Sequence, residues 1–81
     1  MTTAQTVAEW LIDRIRAEET LYLEEAVYLI EYEFGSEWVY DDINNSPAIQ
    51  RSVLDVFRTL HGGAIQWDNA ERCWTDSPRR P

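Results

Sequence analysis

Apolar residues recur at helical spacing in three stretches of this chain and at strand spacing near its end. Val7, Trp10, Leu11 and Ile15 fall at i, i+3, i+4 and i+8, with Ala8 and Ile12 widening the stripe. Glu9, Asp13, Arg14 and Arg16 decorate the other side. Thr6-Val7-Ala8-Glu9 has the spacing of a capping box, and Thr2 to Gln5 offers the same spacing about one turn earlier. A first helix ending near Glu18 is therefore predicted. Thr20-Leu21-Tyr22 is β-prone and predicts a short strand or an extended connector. In the second helix Leu23, Ala26, Val27, Ile30 and Phe34 share one stripe, and Glu24 and Glu25 complement the dipole of its first turn. Gly35 supplies the stop. Tyr28, Leu29 and Tyr32 lie off the stripe, so this helix is apolar on more than its core face.

Trp38-Val39-Tyr40 is a strand or a hydrophobic anchor for a loop, and Asp41 to Asn45 is turn material. Ser46-Pro47 predicts a helix start, with Ser as cap and Pro in the first helical position. Ile49, Val53, Phe57 and Leu60 form the stripe of this third helix, supported by Leu54 and Val56. Arg51, Asp55 and Arg58 sit outside at ion-pair spacing, and Gly62-Gly63 ends the helix. Ala64 to Trp67 and Arg72 to Thr75 alternate as two strands joined by Asp68 to Glu71, which predicts a hairpin with Ile65 and Trp67 on one face. The fold expected is α+β: three helices with a C-terminal two-stranded β-hairpin, one domain over residues 1–75 and an extended tail over 76–81. Its core should contain Val7, Leu11, Ile15, Val27, Ile30, Phe34, Val53, Phe57, Leu60 and Ile65. Trp10 and Trp67 are assigned to that core as well, while Trp38 and Trp74 stay undetermined.

Charge changes this picture most. The chain carries a net charge of -8, and all 7 of its basic residues are Arg. From Ala17 to Gln50 the ionic side chains are Glu18, Glu19, Glu24, Glu25, Glu31, Glu33, Glu37, Asp41 and Asp42, with no Lys or Arg among them. A sequence pI near 4.4 argues against tight non-specific binding to nucleic acid or to an anionic membrane, which both need cationic side chains. A basic surface on another protein is the more natural partner. The hydrophobic fraction of 44% is too rich for a disordered chain. One Cys permits no internal disulfide, and no signal-peptide pattern or membrane-spanning run is visible, so a cytoplasmic location is expected.

Candidate chemistry is sparse. His61 and Cys73 are single and belong to no motif, so a Cys–His nucleophile arises only if the fold brings them together. Asp42, Asn44 and Ser46 imitate the opening of a calcium loop, but Pro47 and Val53 stand where its Gly and its final Glu belong; caps and turns explain these residues better. No metal, cofactor or enzymatic activity is expected.

The order of helix, extended Leu21-Tyr22, two helices and hairpin resembles the winged-helix variant of the helix-turn-helix, over about Thr6 to Thr75. That resemblance implies DNA binding through the third helix. Two features depart from it: the connection between helices 2 and 3 is about ten residues against three or four, and Asp55, Asp68 and Glu71 stand where phosphates would lie. Phe34-Gly35, Trp38 to Tyr40, Ser46 to Leu60, and Trp67 with Trp74 are also similar to small uncharacterised bacterial and phage proteins. In size and charge the chain resembles small acidic phage proteins of the anti-CRISPR and anti-defence types, which implies an inhibitor that imitates nucleic-acid phosphates.

The function expected first is a non-catalytic acidic module that binds a protein through Glu24, Tyr28, Glu31, Tyr32, Glu37, Asp41 and Asp42. A winged-helix DNA-binding regulator is the alternative. A further one is a structural domain that self-associates weakly as a dimer through Tyr28, Leu29 and Tyr32. An acidic face that serves only solubility remains the plain reading beside all three.

Overall fold

The computed structural model describes residues 2–76. Its elements are α1 (Ala4–Glu18), β1 (Thr20–Tyr22), α2 (Leu23–Phe34), a 3-10 turn (Ser36–Trp38), β2 (Val39–Asp41), β3 (Pro47–Ile49), α3 (Arg51–His61), β4 (Ile65–Asp68) and β5 (Cys73–Asp76). The fold is α+β, three helices with a C-terminal hairpin, as the hydrophobic pattern predicts.

Helix α1 begins a turn before the Thr6 box. Thr3 is the cap, and its Oγ1 accepts the Thr6 amide at 3.2 Å. At the other end Glu19 adopts a left-handed φ of 69°, which turns the chain into β1. The Glu19 carbonyl then accepts the Asp76 amide at 3.0 Å. Strand β1 pairs antiparallel with β5, Leu21 opposite Trp74, and β4 pairs with the other edge of β5, Trp67 opposite Trp74. The sheet order is thus β1-β5-β4, with the last strand in the centre. It includes Asp76, so the strand runs one residue past the expected boundary; the rest of the expected tail, 77–81, lies outside the described residues.

Ser46-Pro47 does not start a helix. Residues 47–49 form β3, which pairs antiparallel with β2 as a second, two-stranded sheet. The reason lies in Asp42, whose Oδ1 accepts the amides of Asn44 at 2.8 Å and Ser46 at 3.0 Å. That turn folds Ser46 back against Asp42, and Pro47, with no amide to donate, takes the first position of an edge strand. Helix α3 starts four residues later than the cap predicts, with Gln50 as N-cap.

Helix α1 packs chiefly on α3, and α2 packs on β3 and the 3-10 turn. Val7, Leu11, Ile15, Val27, Ile30, Val53, Phe57 and Ile65 are buried, as expected. Phe34 is only partly buried and meets the half-buried Trp10 edge-on at 5.8 Å. Leu60 is 43% exposed and leaves the core although it lies on the stripe of Val53 and Phe57, since it falls in the last turn of α3, next to the helix end at His61. Trp67 is likewise 43% exposed, and its strand partner Trp74 takes the core position instead, at 6%.

Replacing Phe57, which is 2% exposed, by Ala should cost about 3 to 5 kcal/mol in urea unfolding. Leu60→Ala should change stability by no more than about 1 kcal/mol. Equal effects at the two positions would mean that the apolar stripe of α3 faces elsewhere.

Candidate functional site

Leu23, Ala26, Val27 and Ile30 turn one side of α2 to the core. At 100° per residue the opposite side then carries Tyr28 and Tyr32, with Glu25 beside them and Glu24 and Glu31 along one flank. All five are exposed, Tyr28 at 67% and Tyr32 at 77%. Leu29 is half-buried at the margin of that face. Among the described residues the sole ion pair is Arg14 to Glu18 on α1, so these acids meet no cation. The helix therefore brings together four of the residues expected to contact a partner. Glu37 and Asp41 are exposed on the 3-10 turn and on β2, off the helix face. Asp42 is half-buried and its carboxylate closes the β2–β3 turn, which occupies one oxygen with two amides.

A second feature lies where the two sheets meet α3. A cavity of about 450 Å³ opens there. Leu23, Ile49, Leu54 and Ile65 supply aliphatic wall, and Tyr40, Phe57, Trp67 and Trp74 supply aromatic wall. Three ring contacts run through it in series: Trp67 to Trp74 at 5.0 Å, Trp74 to Phe57 at 5.7 Å, and Phe57 to His61 at 4.6 Å. Tyr40 at 46% and Trp67 at 43% are exposed to a degree that burial in a partner or ligand would relieve. A smaller hollow of about 280 Å³ adjoins it across Tyr40, Ile49, Leu54 and Arg58, and adds Arg51 and Asp55.

The polar groups of the cavity are Arg58 and His61, three residues apart on α3. Arg58 makes no ion pair with Asp55, contrary to the spacing argument, and faces the cavity. His61 Nδ1 accepts the Gly63 amide at 3.0 Å and lies 3.4 Å from the Ile65 amide nitrogen. Only the neutral ring can accept there, so its proton belongs on Nε2. Burial above all holds the His61 pKa below the ordinary 6.5; a backbone hydrogen bond at His61 opposes it, and the charges of Arg16 on α1 and Arg58 on α3 add to the lowering.

From the sequence Trp67 is expected in the core, Arg58 in an ion pair and Tyr40 in a strand or an anchor. The pairing of β2 with β3 changes this by setting Tyr40 beside α3. The alternation of the terminal hairpin carried the usable signal, since it sets Trp67 and Trp74 on one face. That same alternation sends Cys73 to the opposite face from Trp74 and the His61 contact, so no Cys–His pair forms. No cluster of metal-ligating side chains occurs among the described residues, and none of their helices is long and apolar enough to cross a membrane.

The lowered pKa of His61 has a sign that can be checked. The unfolded chain takes up its proton near pH 6.5 and the folded chain only at lower pH, so this group makes stability rise with pH within that window. Acidifying from pH 7.5 to 5.5 should thus lower the Tm of the native protein more than that of His61→Asn, in differential scanning fluorimetry. Parallel curves would mean that the ring titrates equally in both states.

No curated protein and no solved structure matches the chain. One family does, over residues 3–76, which takes in every helix and strand described above. The protein belongs to DUF6953, a family of unknown function.

Proposed function

We propose that this protein is a non-catalytic binding module that presents the outer face of α2 to a basic surface on another protein. One observation carries the reading. Tyr28 and Tyr32 stand one turn apart, 67% and 77% exposed, between Glu24, Glu25 and Glu31, and no cation among the described residues answers those carboxylates. Tyrosine is a common anchor in interfaces, because a large rigid ring orders at small entropic cost. Around such anchors, carboxylates raise the rate of encounter with a cationic surface. Against Arg or Lys the rings add cation–π attraction. A groove that binds nucleic acid offers such cations in rows, so the finer form of the proposal is a cytoplasmic phage or mobile-element inhibitor that imitates phosphates.

Self-association through Tyr28, Leu29 and Tyr32 is the weaker alternative. Two-fold pairing of this face would set Glu24 and Glu31 near their own copies, and like charges oppose that contact. The two assemblies respond oppositely to salt: screening weakens a complex with a basic partner and favours a dimer of acidic faces. The element order that resembles a winged helix supports a DNA-binding regulator as another reading. Arg51 and Arg58 would there face phosphates, beside Asp55 and under a net charge of -8.

Reversing Glu24 and Glu31 to Arg should leave the Tm within a few degrees of native, since both side chains are exposed, and abolish capture of basic proteins from lysate at low salt. Tyr28→Ala with Tyr32→Ala keeps the net charge and should weaken the same capture by about tenfold or more. Unchanged partners with unchanged salt dependence in the reversed variant would leave the acidic face as a solubility device. Sedimentation across a salt series and a gel shift with duplex DNA decide the other two readings.

A further inference from the structure

We propose that the cavity between α3 and the two hairpins binds a small planar aromatic carboxylate, with its ring against Trp67 and Trp74 and its carboxylate at Arg58 and His61. The proposal is independent of the α2 face. Size is the first argument. About 450 Å³ lies within the roughly 300 to 1,000 Å³ of small-molecule sites, and it exceeds what one inserted side chain would fill. The shape of the lining is the second. Trp67 is tilted 56° from Trp74 at 5.0 Å, and its exposed ring forms an open aromatic wall that a flat ligand can cover. Leu54 and Ile49 close the other side.

Charge complementarity selects the ligand's polar end. Among the described residues Arg58 is in no ion pair, and His61, one turn on along α3, has its Nδ1 filled by backbone amides, which leaves Nε2–H as the ring's free donor. One guanidinium and one N–H donor, with no acid lining this cavity, suit a single carboxylate. Asp55 lines the adjoining hollow with both Arg51 and Arg58, but of these three only Arg58 also lines the cavity, so within it the anionic end belongs at Arg58 and His61. The chain's net charge of -8 does not reverse this choice, because distant carboxylates are screened over about 8 Å at physiological ionic strength. A cationic ligand would enjoy the aromatic walls but would meet Arg58 directly.

The test uses the full chain and 2-naphthoate as the probe, titrated by calorimetry and followed in amide NMR spectra. The expected result is one saturable site with a Kd at or below about 1 mM, with spectral changes centred on Leu54, Ile65, Trp67 and Trp74. The uncharged 2-naphthamide should bind at least about tenfold more weakly, and Arg58→Gln should weaken 2-naphthoate by a similar factor. Leu54→Trp, which fills the cavity, should abolish binding. Glu24→Arg with Glu31→Arg should leave it unchanged, which separates this site from the α2 face. No saturable binding, equal binding of acid and amide, or full affinity in the folded Arg58→Gln protein would overturn the assignment.

Discussion

Everything in this domain leans on β5. The strand comes last in the described chain, yet it is the centre of the three-stranded sheet, with β1 on one edge and β4 on the other. Its pairing with β1 joins residues 20–22 to residues 73–75, and with the packing of α1 on α3 this ladder ties the N-terminal and C-terminal parts into one body. Trp74 makes the junction apolar as well as hydrogen-bonded: it lies opposite both Leu21 and Trp67 and meets Phe57 of α3. A chain of 81 residues has little core to spare. Here the Trp74 indole meets the helix that packs on α1, and Leu21 and Ile65 of the same sheet join it in the core, contacts between residues distant in sequence that cost loop entropy to form.

The three helices were legible because each buries a stripe several turns long, and such a stripe tolerates an error of a turn at either end. That is how α1 could be recognised while its cap moved from Thr6 to Thr3. Ser46-Pro47 was misread for a different reason. A cap followed by Pro is a local signal, and it lost to a tertiary one: β2 needs a partner, and Asp42 holds the turn that delivers β3. Leu60 was misplaced for another reason: it shares the stripe of Val53 and Phe57 but falls in the last turn of α3, where periodicity does not say whether the core still extends. Trp67 was given to the core ahead of Trp74 wrongly, because alternation places both on one face and only the third strand determines which of them is covered.

Legibility was uneven for the two surfaces too. The α2 face is set by one helix, and the 100° rule fixes its members once Leu23, Ala26, Val27 and Ile30 are known to be inside. The cavity has no such local rule. It is bounded by α2, β2, β3, α3, β4 and β5, so its lining appears only when the two hairpins take their places beside α3. The charges follow the same division. Carboxylates dominate α2, whereas the two Arg residues of α3 face the hollows between the sheets. Those faces differ in the chemistry they offer, one to cations and the other to an anion with an apolar body.

A domain this small would gain by closing the cavity with larger side chains, since a few kcal/mol is a large part of its stability. Ala48 and Leu54 both have room beside them, yet Tyr40 and Trp67 remain largely open to water across that space. His61 reinforces the arrangement: its ring is held by backbone amides on one side and by Phe57 on the other, so it cannot swing in to fill the gap. The hollow is therefore framed on that side by a ring whose position is fixed by other bonds. A wall held in that way lowers the cost of ordering when something enters, because it need not be immobilised on binding.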